Sequence, residues 1–403
     1  MYLNAAVLAL VAAAYALLSG RVERSRVSGP ILFVLAGLLL GPALLGTLAL
    51  DATIGDLRLL AEITLSMVLF SDAANADIDQ IRRTRFLPRR LLFVGLPLTI
   101  LLGFALALPL LPGLGLLEAA LLATALAPTD AALGKPVVVN PAVPPAIRES
   151  LNFESGLNDG ICVPVIVLLL GAAAGEAHGG GTLGHILLTV VEEIGIGLLV
   201  GAAIAIPGAL LVGRARAAGW IGPNWTGVPA MGLAVACFAL AQGIGGSGFI
   251  ACFVGGLAFG ARRPDRHELL HAAEGAGDLL SLFTWVVFGA LVVPQVADAV
   301  TLPVILYAVL SLTVVRMLPV WLCLRGTRIV PHDRLFIGWF GPRGLASIVF
   351  GVLILSAGLP GADTLAATIV CTVLLSVVAH GASAGPLIRA LAPGWAERTA
   401  PTP

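Results

Sequence analysis

One short stretch of the sequence brings together the side chains that could bind a cation and a proton. Residues 153–160 hold two carboxylates, an amide and a hydroxyl, and a long, almost purely apolar run follows them. In a helix, Glu154 and Asn158 lie one turn apart on one face, and so do Ser155 and Asp159. An ionisable group inside an apolar span is energetically costly and by default indicates an ion or proton pathway. The stretch therefore predicts transport chemistry centred on Asp159.

Asp159 is the residue that we expect to exchange the ions. Burial disfavours the charged form of a carboxylate, so a proton can compete with a cation for the same oxygen atoms. A hard monovalent cation prefers oxygen ligands. The hydroxyls of Ser155 and Thr129, a carbonyl freed near Thr129, and water could supply these ligands beside Asp159. The alternative is a structural carboxylate that caps a helix, which the apolar run after the motif disfavours.

The other charged and polar side chains inside apolar spans need partners. Asp130 could neutralise the positive end of a half-helix or bind the cation directly, and both roles remain open. Glu154 needs a counter-ion, for which we predict Arg316, with Asn158 hydrogen-bonded to either of them. Arg343 is expected to support its own interrupted span by donating to freed carbonyls near the crossing.

The remaining titratable side chains give weaker signals. Asp72 either lines the cytoplasmic mouth of the pathway or is a solvated interfacial residue. The six histidines fall mostly in predicted loops or helix ends, where an ordinary surface role is expected. The five cysteines have neither metal-binding nor redox spacing. No cofactor is predicted, because no nucleotide loop continues into the required Lys-Ser/Thr, and no His-Glu-x-x-His or nucleophile elbow is present.

The composition excludes a soluble globular protein. Of the 403 residues, 58% are hydrophobic and 11% are charged, and the mean hydropathy is +1.01. A soluble domain has about 25% charged residues. The sequence therefore predicts an all-α polytopic membrane protein, and the net charge of zero gives no indication of a nucleic-acid partner.

Apolar runs of the length that a membrane requires predict about thirteen spans. The eighth and ninth are the least separated, and merging them would give twelve. The predicted spans are residues 3–20, 29–47, 57–75, 90–111, 116–134, 147–173, 184–212, 225–243, 246–261, 274–293, 302–323, 333–357 and 363–389.

The distribution of positive charge favours thirteen spans over twelve. All basic residues except Arg58, Arg316 and Arg343 lie in alternate loops, beginning with the loop after the first span. The opposite loops are mainly acidic. Because cytoplasmic loops carry the excess of Lys and Arg, the N-terminus is predicted outside and the C-terminus in the cytoplasm. A twelve-span arrangement breaks this alternation.

Two of the predicted spans are interrupted. Residues 127–130 of span five and 341–344 of span twelve combine proline with glycine or short polar residues, which disfavours a continuous helix. Unwound backbone at membrane depth is tolerated only where protein or a water cavity satisfies it. If spans two to six correspond to spans nine to thirteen, the interruptions match in inverted repeats. Such a pair is the sequence signature of a transporter's midplane site.

The motifs occur in an order that resembles the monovalent cation:proton antiporter family, in its Asn-Asp branch of Na⁺/H⁺ antiporters and exchangers. They are Pro128-Thr129-Asp130, residues 154–160, Arg316 and residues 341–344. The resemblance implies two crossing discontinuous helices and one transporter unit over 1–403. It also implies a core domain (90–173 and 302–389), a dimerisation domain (1–75 and 184–293) and a homodimer.

The same resemblance assigns roles to individual residues. Asp159 corresponds to the aspartate that binds the ion and the proton, with Thr129, Ser155 and Glu154 around the ion. Arg316 corresponds to the arginine that pairs with Glu154. Asn158 is the asparagine of the motif. The residues around Asp72 depart from the acidic-plus-glycine pattern of the family, so no role is carried over to them.

The sequence therefore predicts a secondary antiporter of the plasma membrane and not an enzyme. It would exchange Na⁺, with Li⁺ as a second cation, for H⁺ by an elevator-like movement, and one aspartate that binds either ion makes the exchange electroneutral. Three alternatives remain: a K⁺/H⁺ antiporter of the same fold, a Na⁺-coupled symporter of an organic solute, and an intramembrane enzyme or channel. The core spans lack the surplus polar residues that a solute pocket requires.

Overall fold

The protein is a bundle of helices, in which the described residues contain no strand. The computed structural model describes residues 2–22, 28–48, 54–76, 87–177, 183–327 and 329–399. Residues 23–27, 49–53, 77–86, 178–182 and 328, which carry part of the predicted charge pattern, lie outside these ranges, and they include Asp51 and His178. The helices are α1 Tyr2–Val22, α2 Gly29–Leu40, α3 Ile54–Asn75, α4 Leu87–Leu110, α5a Leu116–Ala125, α5b Ala131–Val138, α6 Pro145–Ala177, α7 Leu183–Ala217, α8 Val228–Gly243, α9 Gly248–Gly260, α10 Arg266–Gln295, α11 Leu302–Cys323, α12a Pro331–Trp339, α12b Leu345–Ser356 and α13 Ala362–Thr399.

The helices follow the predicted spans in number and order. Within the described residues, eight helices are long and apolar enough to cross a membrane, and α2, α5a, α9 and α12b are shorter apolar helices. The separation of α8 from α9 agrees with thirteen segments rather than twelve. Several boundaries differ from the prediction: α2 ends at Leu40, seven residues before the predicted end, whereas α13 continues to Thr399 beyond the predicted end at 389.

Small residues let α3 and α9 approach each other closely at the centre of the bundle. Gly256 and Gly260 form a Gly-x-x-x-Gly pair on α9, and a side chain at either position would collide with the main chain of α3 at Phe70 or Ala74. Membrane helices use such small-residue faces because close backbone contact supplies the packing energy that lipid exclusion does not. This contact fixes α3 beside the helices that carry the polar site.

Two helices bend next to charged side chains. The first turn of α4 leads into a π-helical segment at Leu91–Gly95, and α11 is kinked at Thr313, whose φ of −105° and ψ of −89° leave the helical region. The kink lies three residues before Arg316. Helix kinks of this kind change the direction of the side chains that follow, and the guanidinium of Arg316 enters the interior of the bundle, where the residue is 1% exposed.

Candidate functional site

The two interrupted helices meet at their breaks, as the sequence predicted. The amide of Asp130, at the start of α5b, donates to the carbonyl of Pro342 at 2.8 Å. In the opposite direction, Nη1 of Arg343 donates to the carbonyls of Ala127 at 2.6 Å and Pro128 at 3.0 Å. The unwound segments therefore supply each other with the hydrogen-bond partners that an unwound backbone inside a membrane requires.

Arg343 donates to freed carbonyls near the crossing, as we expected. These carbonyls belong to the break in α5. The hydroxyl of Ser347, in α12b, likewise donates to α5, because it bonds to the carbonyl of Ala125 at 2.8 Å. The last carbonyls of α5a have no helical partner, and a cation at the C-terminal end of a helix is electrostatically favourable. Residues of α12 therefore supply the hydrogen-bond donors that the carbonyls at the end of α5a and at its break lack.

Asp130 caps two half-helices at once. Its Oδ1 accepts from the amide of Leu133 in α5b at 3.0 Å, and its Oδ2 accepts from the amide of Leu345, the first residue of α12b, at 2.8 Å. A carboxylate at a helix N-terminus satisfies an orphan amide and is attracted by the helix dipole. One side chain therefore stabilises the positive ends of both interrupted helices.

Replacing Gly344 with alanine should disrupt this double cap. A Cβ at Gly344 would collide with the carboxylate of Asp130, so Gly344→Ala must displace the carboxylate from one or both amides. Each lost cap costs about 0.5–2 kcal/mol. We expect a lower thermal unfolding temperature of the purified protein in detergent and slower ion exchange after reconstitution.

Gly134→Ala is the matched control for this substitution. Gly134 lies in α5b, next to the same break, and a Cβ there has open space around it. Alanine is favoured over glycine in a helix by about 1 kcal/mol, so this variant should be as stable as the wild type or more so. Equal stability of the Gly344→Ala and Gly134→Ala variants would contradict the double cap.

A buried network of hydroxyl and amide groups connects the break in α5 to α6. Oγ1 of Thr129 lies 2.9 Å from Oγ of Ser155 and accepts from Nδ2 of Asn158 at 2.7 Å. The three residues are buried. The predicted hydrogen bond from Asn158 to Glu154 or Arg316 is wrong: the amide NH₂ turns to Thr129, and Oδ1 of Asn158 has no hydrogen-bond partner among the described residues. Asn158 therefore orients the hydroxyl of Thr129.

Asp159 lies one turn after Ser155 on the same face of α6, beside this network. The residue is 7% exposed, and its Oδ1 has no hydrogen-bond partner within the part of the chain that the structure describes. The carboxylates of Asp130 and Asp72 are near enough to repel it electrostatically. A buried carboxylate oxygen without a donor is costly, so the site gains free energy from a proton or a cation.

Asp72 lies closer to this site than the sequence indicated. A side chain at Gly156 would lie 3.8 Å from Cβ of Asp72, so α3 and α6 pass close to each other here. Gly156 and Asp159 are neighbours on the surface of α6 because they are three residues apart. Asp72 is half-buried, and the carboxylates of Glu274 and Asp278 on α10 add negative charge near it. The side of Asp159 that faces α3 is therefore negative.

Glu154 and Arg316 form the ion pair that the sequence predicted. Nη1 and Nη2 of Arg316 donate to Oε1 and Oε2 of Glu154 at 2.5 and 2.7 Å, and each side chain is 1% exposed. The parallel pair of hydrogen bonds is the strongest geometry available to these two groups. Both oxygens of Glu154 are occupied by this pair, which connects α6 to α11 next to the crossing.

Sequence reasoning missed His380. We expected the histidines mostly in loops or at helix ends, with ordinary surface roles, but His380 lies within α13 and is 2% exposed. Its burial is indicated by a stripe of polar residues at helical spacing on the apolar helix α13. The stripe continues to Ser383. It comprises Thr368, Thr372, Ser376, His380 and Ser383.

The comparisons with known proteins agree with this arrangement. The family described as "Sodium/hydrogen exchanger, transmembrane" matches residues 7–390. A K(+)/H(+) antiporter NhaP2 of Shewanella sp. (strain MR-4) is 25% identical over 377 residues, which are 93% of this chain and 64% of that protein. A K(+)/H(+) antiporter NhaP of Alkalimonas amylolytica is 27% identical over 372 residues, which are 91% and 63%. The chain therefore spans less than two thirds of these relatives.

The fold is also that of a solved structure. The sodium proton antiporter MjNhaP1 from Methanocaldococcus jannaschii at pH 8 superimposes with a TM-score of 0.72 at 21% identity, over 94% of this chain and 99% of that chain. An electron-microscopy structure of the same antiporter gives a TM-score of 0.77 at 21% identity, over the whole of both chains. At this level of identity the likeness concerns the fold.

Proposed function

Because the chain belongs to the sodium/hydrogen exchanger family, we propose that it exchanges Na⁺, and also Li⁺, for H⁺ across the plasma membrane. Members of the family are cation/proton antiporters, which are secondary transporters and not enzymes. The observation that carries the proposal is the buried oxygen of Asp159. It has no donor among the described residues and belongs to the residue one helical turn after Ser155, whose hydroxyl contacts that of Thr129 at the break in α5.

The geometry supports a mechanism in which the two ions compete for one carboxylate. In one state Asp159 is protonated, and in the other it is ionised and binds the cation together with the hydroxyl oxygens of Thr129 and Ser155. Asp130 holds both half-helices, so we propose that it acts mainly as a support and not as a ligand. Glu154 is occupied by Arg316 and contributes to the ion's surroundings through its charge. Because the site carries the same charge in both states, the exchange is electroneutral.

The movement that exposes the site to each side in turn would be a displacement of the core domain against the dimerisation domain. The proposed core comprises residues 90–173 and 302–389, which contain both interrupted helices. The proposed dimerisation domain comprises 1–75 and 184–293, and the protein would be a homodimer. The positive residues of alternate loops support an N-terminus outside and a C-terminus in the cytoplasm.

K⁺ is the second candidate cation, because the curated relatives of this chain carry K(+)/H(+) in their names. We prefer Na⁺ because the chain covers less than two thirds of those relatives but almost the whole of a sodium proton antiporter of the same fold.

Vesicles that contain a pH-sensitive dye can decide between the cations. The purified protein is reconstituted, a proton gradient is imposed, and Na⁺, Li⁺ or K⁺ is titrated outside. We expect Na⁺ and Li⁺ to dissipate the gradient with saturation, and K⁺ to do so only weakly. Protein-free vesicles are the control. A response to K⁺ alone would establish the second candidate, and no response to any of the three cations would contradict antiport.

A further inference from the structure

Helix α13 contacts the interrupted helix α12 at its break. Helix α12a ends at Trp339, and α12b begins at Leu345, so Arg343 lies on an unwound segment. Its guanidinium is bonded to the carbonyls of α5, but its own main chain needs a separate partner. The residues that supply it belong to the polar stripe of α13 (Thr368, Thr372, Ser376, His380 and Ser383), which the proposed exchange mechanism does not use.

Ser376 and His380 connect the two ends of the break. The amide of Arg343 donates to Oγ of Ser376 at 2.7 Å. That hydroxyl lies 3.1 Å from Nδ1 of His380, and Nε2 of His380 lies 2.8 Å from the carbonyl of Trp339, the last residue of α12a. Ser376 is fully buried and His380 is 2% exposed, so water does not compete for these bonds.

The chemistry of the groups fixes the direction of the two outer hydrogen bonds. The amide of Arg343 can only donate, so Oγ of Ser376 accepts from it, and the carbonyl of Trp339 can only accept, so Nε2 of His380 carries a proton. Nδ1 faces both the hydroxyl of Ser376 and, at 2.8 Å, its carbonyl. An unprotonated Nδ1 accepts from the hydroxyl, and a protonated Nδ1 donates to the carbonyl or to the hydroxyl oxygen. His380 connects Ser376 to Trp339 in both cases.

Aromatic packing holds the imidazole in this position. The ring of Trp339 lies against that of His380, with 5.0 Å between the centroids, and the ring of Phe340 is 6.2 Å away. Nε1 of Trp339 donates to Oγ of Ser383 at 2.9 Å. The end of α12a is therefore attached to α13 by contacts on two successive turns of the stripe, at His380 and Ser383.

We propose that His380 is a positioning residue for the ion exchange, which acts with Ser376 to fix the unwound segment 340–344 and thereby Arg343 at the crossing. The proposal rests on the proposed function. His380 does not touch the cation. It holds the main chain of Arg343, and the side chain of Arg343 binds the carbonyls at the break in α5 beside Thr129. The loss of His380 should therefore slow the movement of ions more than it weakens their binding.

Three substitutions separate this role from simple packing. His380→Leu removes both ring nitrogens, and Ser376→Ala removes the hydroxyl between Arg343 and His380. His380→Gln keeps one N–H donor and one acceptor bonded to the same carbon, as the two nitrogens of the imidazole are, and should retain the connection. The control is Ser356→Ala, because the hydroxyl of Ser356 bonds to Val352 within its own helix.

The closing experiment has two arms on detergent-purified and reconstituted full-length protein. Hydrogen–deuterium exchange of the peptide that covers 340–344 should be at least tenfold faster in His380→Leu and Ser376→Ala than in the wild type, Ser356→Ala or His380→Gln. In vesicles the same two variants should show at least tenfold lower maximal rate, with the KM for Na⁺ within about threefold of the wild type.

Wild-type protection and rate in His380→Leu would overturn the proposal, as would a His380→Gln variant as impaired as His380→Leu. A parallel rise in KM would also contradict it, because that result would place His380 in ion binding. If the wild type moves no ions, the proposed function fails, and the hydrogen-exchange arm still decides whether His380 holds the break.

Discussion

Reconstituted protein with the substitution Asp159→Asn should move no protons in response to Na⁺ or Li⁺, at any pH at which the wild type is active. Asparagine has nearly the same shape as aspartate, but it neither ionises nor binds a proton in this range, so neither ion can be carried. The measurement is the sodium-dependent recovery of a pH-sensitive dye in vesicles. The expected rate is that of protein-free vesicles.

The fold of this variant should be intact. Removing a buried carboxylate whose Oδ1 lacks a hydrogen-bond partner among the described residues relieves a desolvation cost, so the thermal unfolding temperature should be equal to or above that of the wild type. Asp363→Asn makes the same chemical change at an aspartate outside the site, at the start of α13, and should leave the rate unchanged. Sodium-dependent proton flux retained in Asp159→Asn would refute the single-carboxylate mechanism.

The features that sequence could predict are those that depend on local chemistry. Proline and glycine inside apolar runs located both helix breaks, because they act on their own backbone. The pairing of Glu154 with Arg316 was predictable because two opposite charges in apolar spans have few other partners. The family resemblance then placed the breaks and the pair in one fold.

The features that sequence could not predict depend on which groups face each other across helices. Asn158 donates to Thr129 and not to the ion pair, because the bidentate contact already occupies both oxygens of Glu154. Arg343 reaches the carbonyls of the other interrupted helix because the two breaks cross. The partners of His380 on α12 were not predictable, because the polar stripe of α13 indicates that one face of this helix makes polar contacts but not which groups it contacts.

Breaking the ion pair of Glu154 and Arg316 should cause a large loss of stability. Glu154→Gln leaves the guanidinium buried without its counter-charge, since both groups are 1% exposed. Loss of one partner of a buried pair costs about 3–5 kcal/mol, because the remaining charge stays desolvated. We expect a large fall in the thermal unfolding temperature in detergent, or a failure to purify as a single species.

A second pair in the chain provides the matched control. Arg216 and Glu268 form an ion pair whose side chains are 31% and 61% exposed, and exposed pairs contribute about 0–1 kcal/mol. Glu268→Gln makes the same chemical change as Glu154→Gln and should therefore have little effect on the unfolding temperature. A loss as large as that of Glu154→Gln would show that burial does not set the cost.

The double variant Glu154→Leu/Arg316→Met tests whether the cost of Glu154→Gln arises from the charge of Arg316 that is left uncompensated. Replacing both members of a buried pair with apolar groups of similar volume is often neutral or stabilising by about 1–4 kcal/mol, so the double variant should recover most of the stability that Glu154→Gln loses. It should remain impaired in ion exchange, because the negative charge beside Thr129 and Ser155 is gone. If the double variant is no more stable than Glu154→Gln, then the cost arises from packing and not from the uncompensated charge of Arg316.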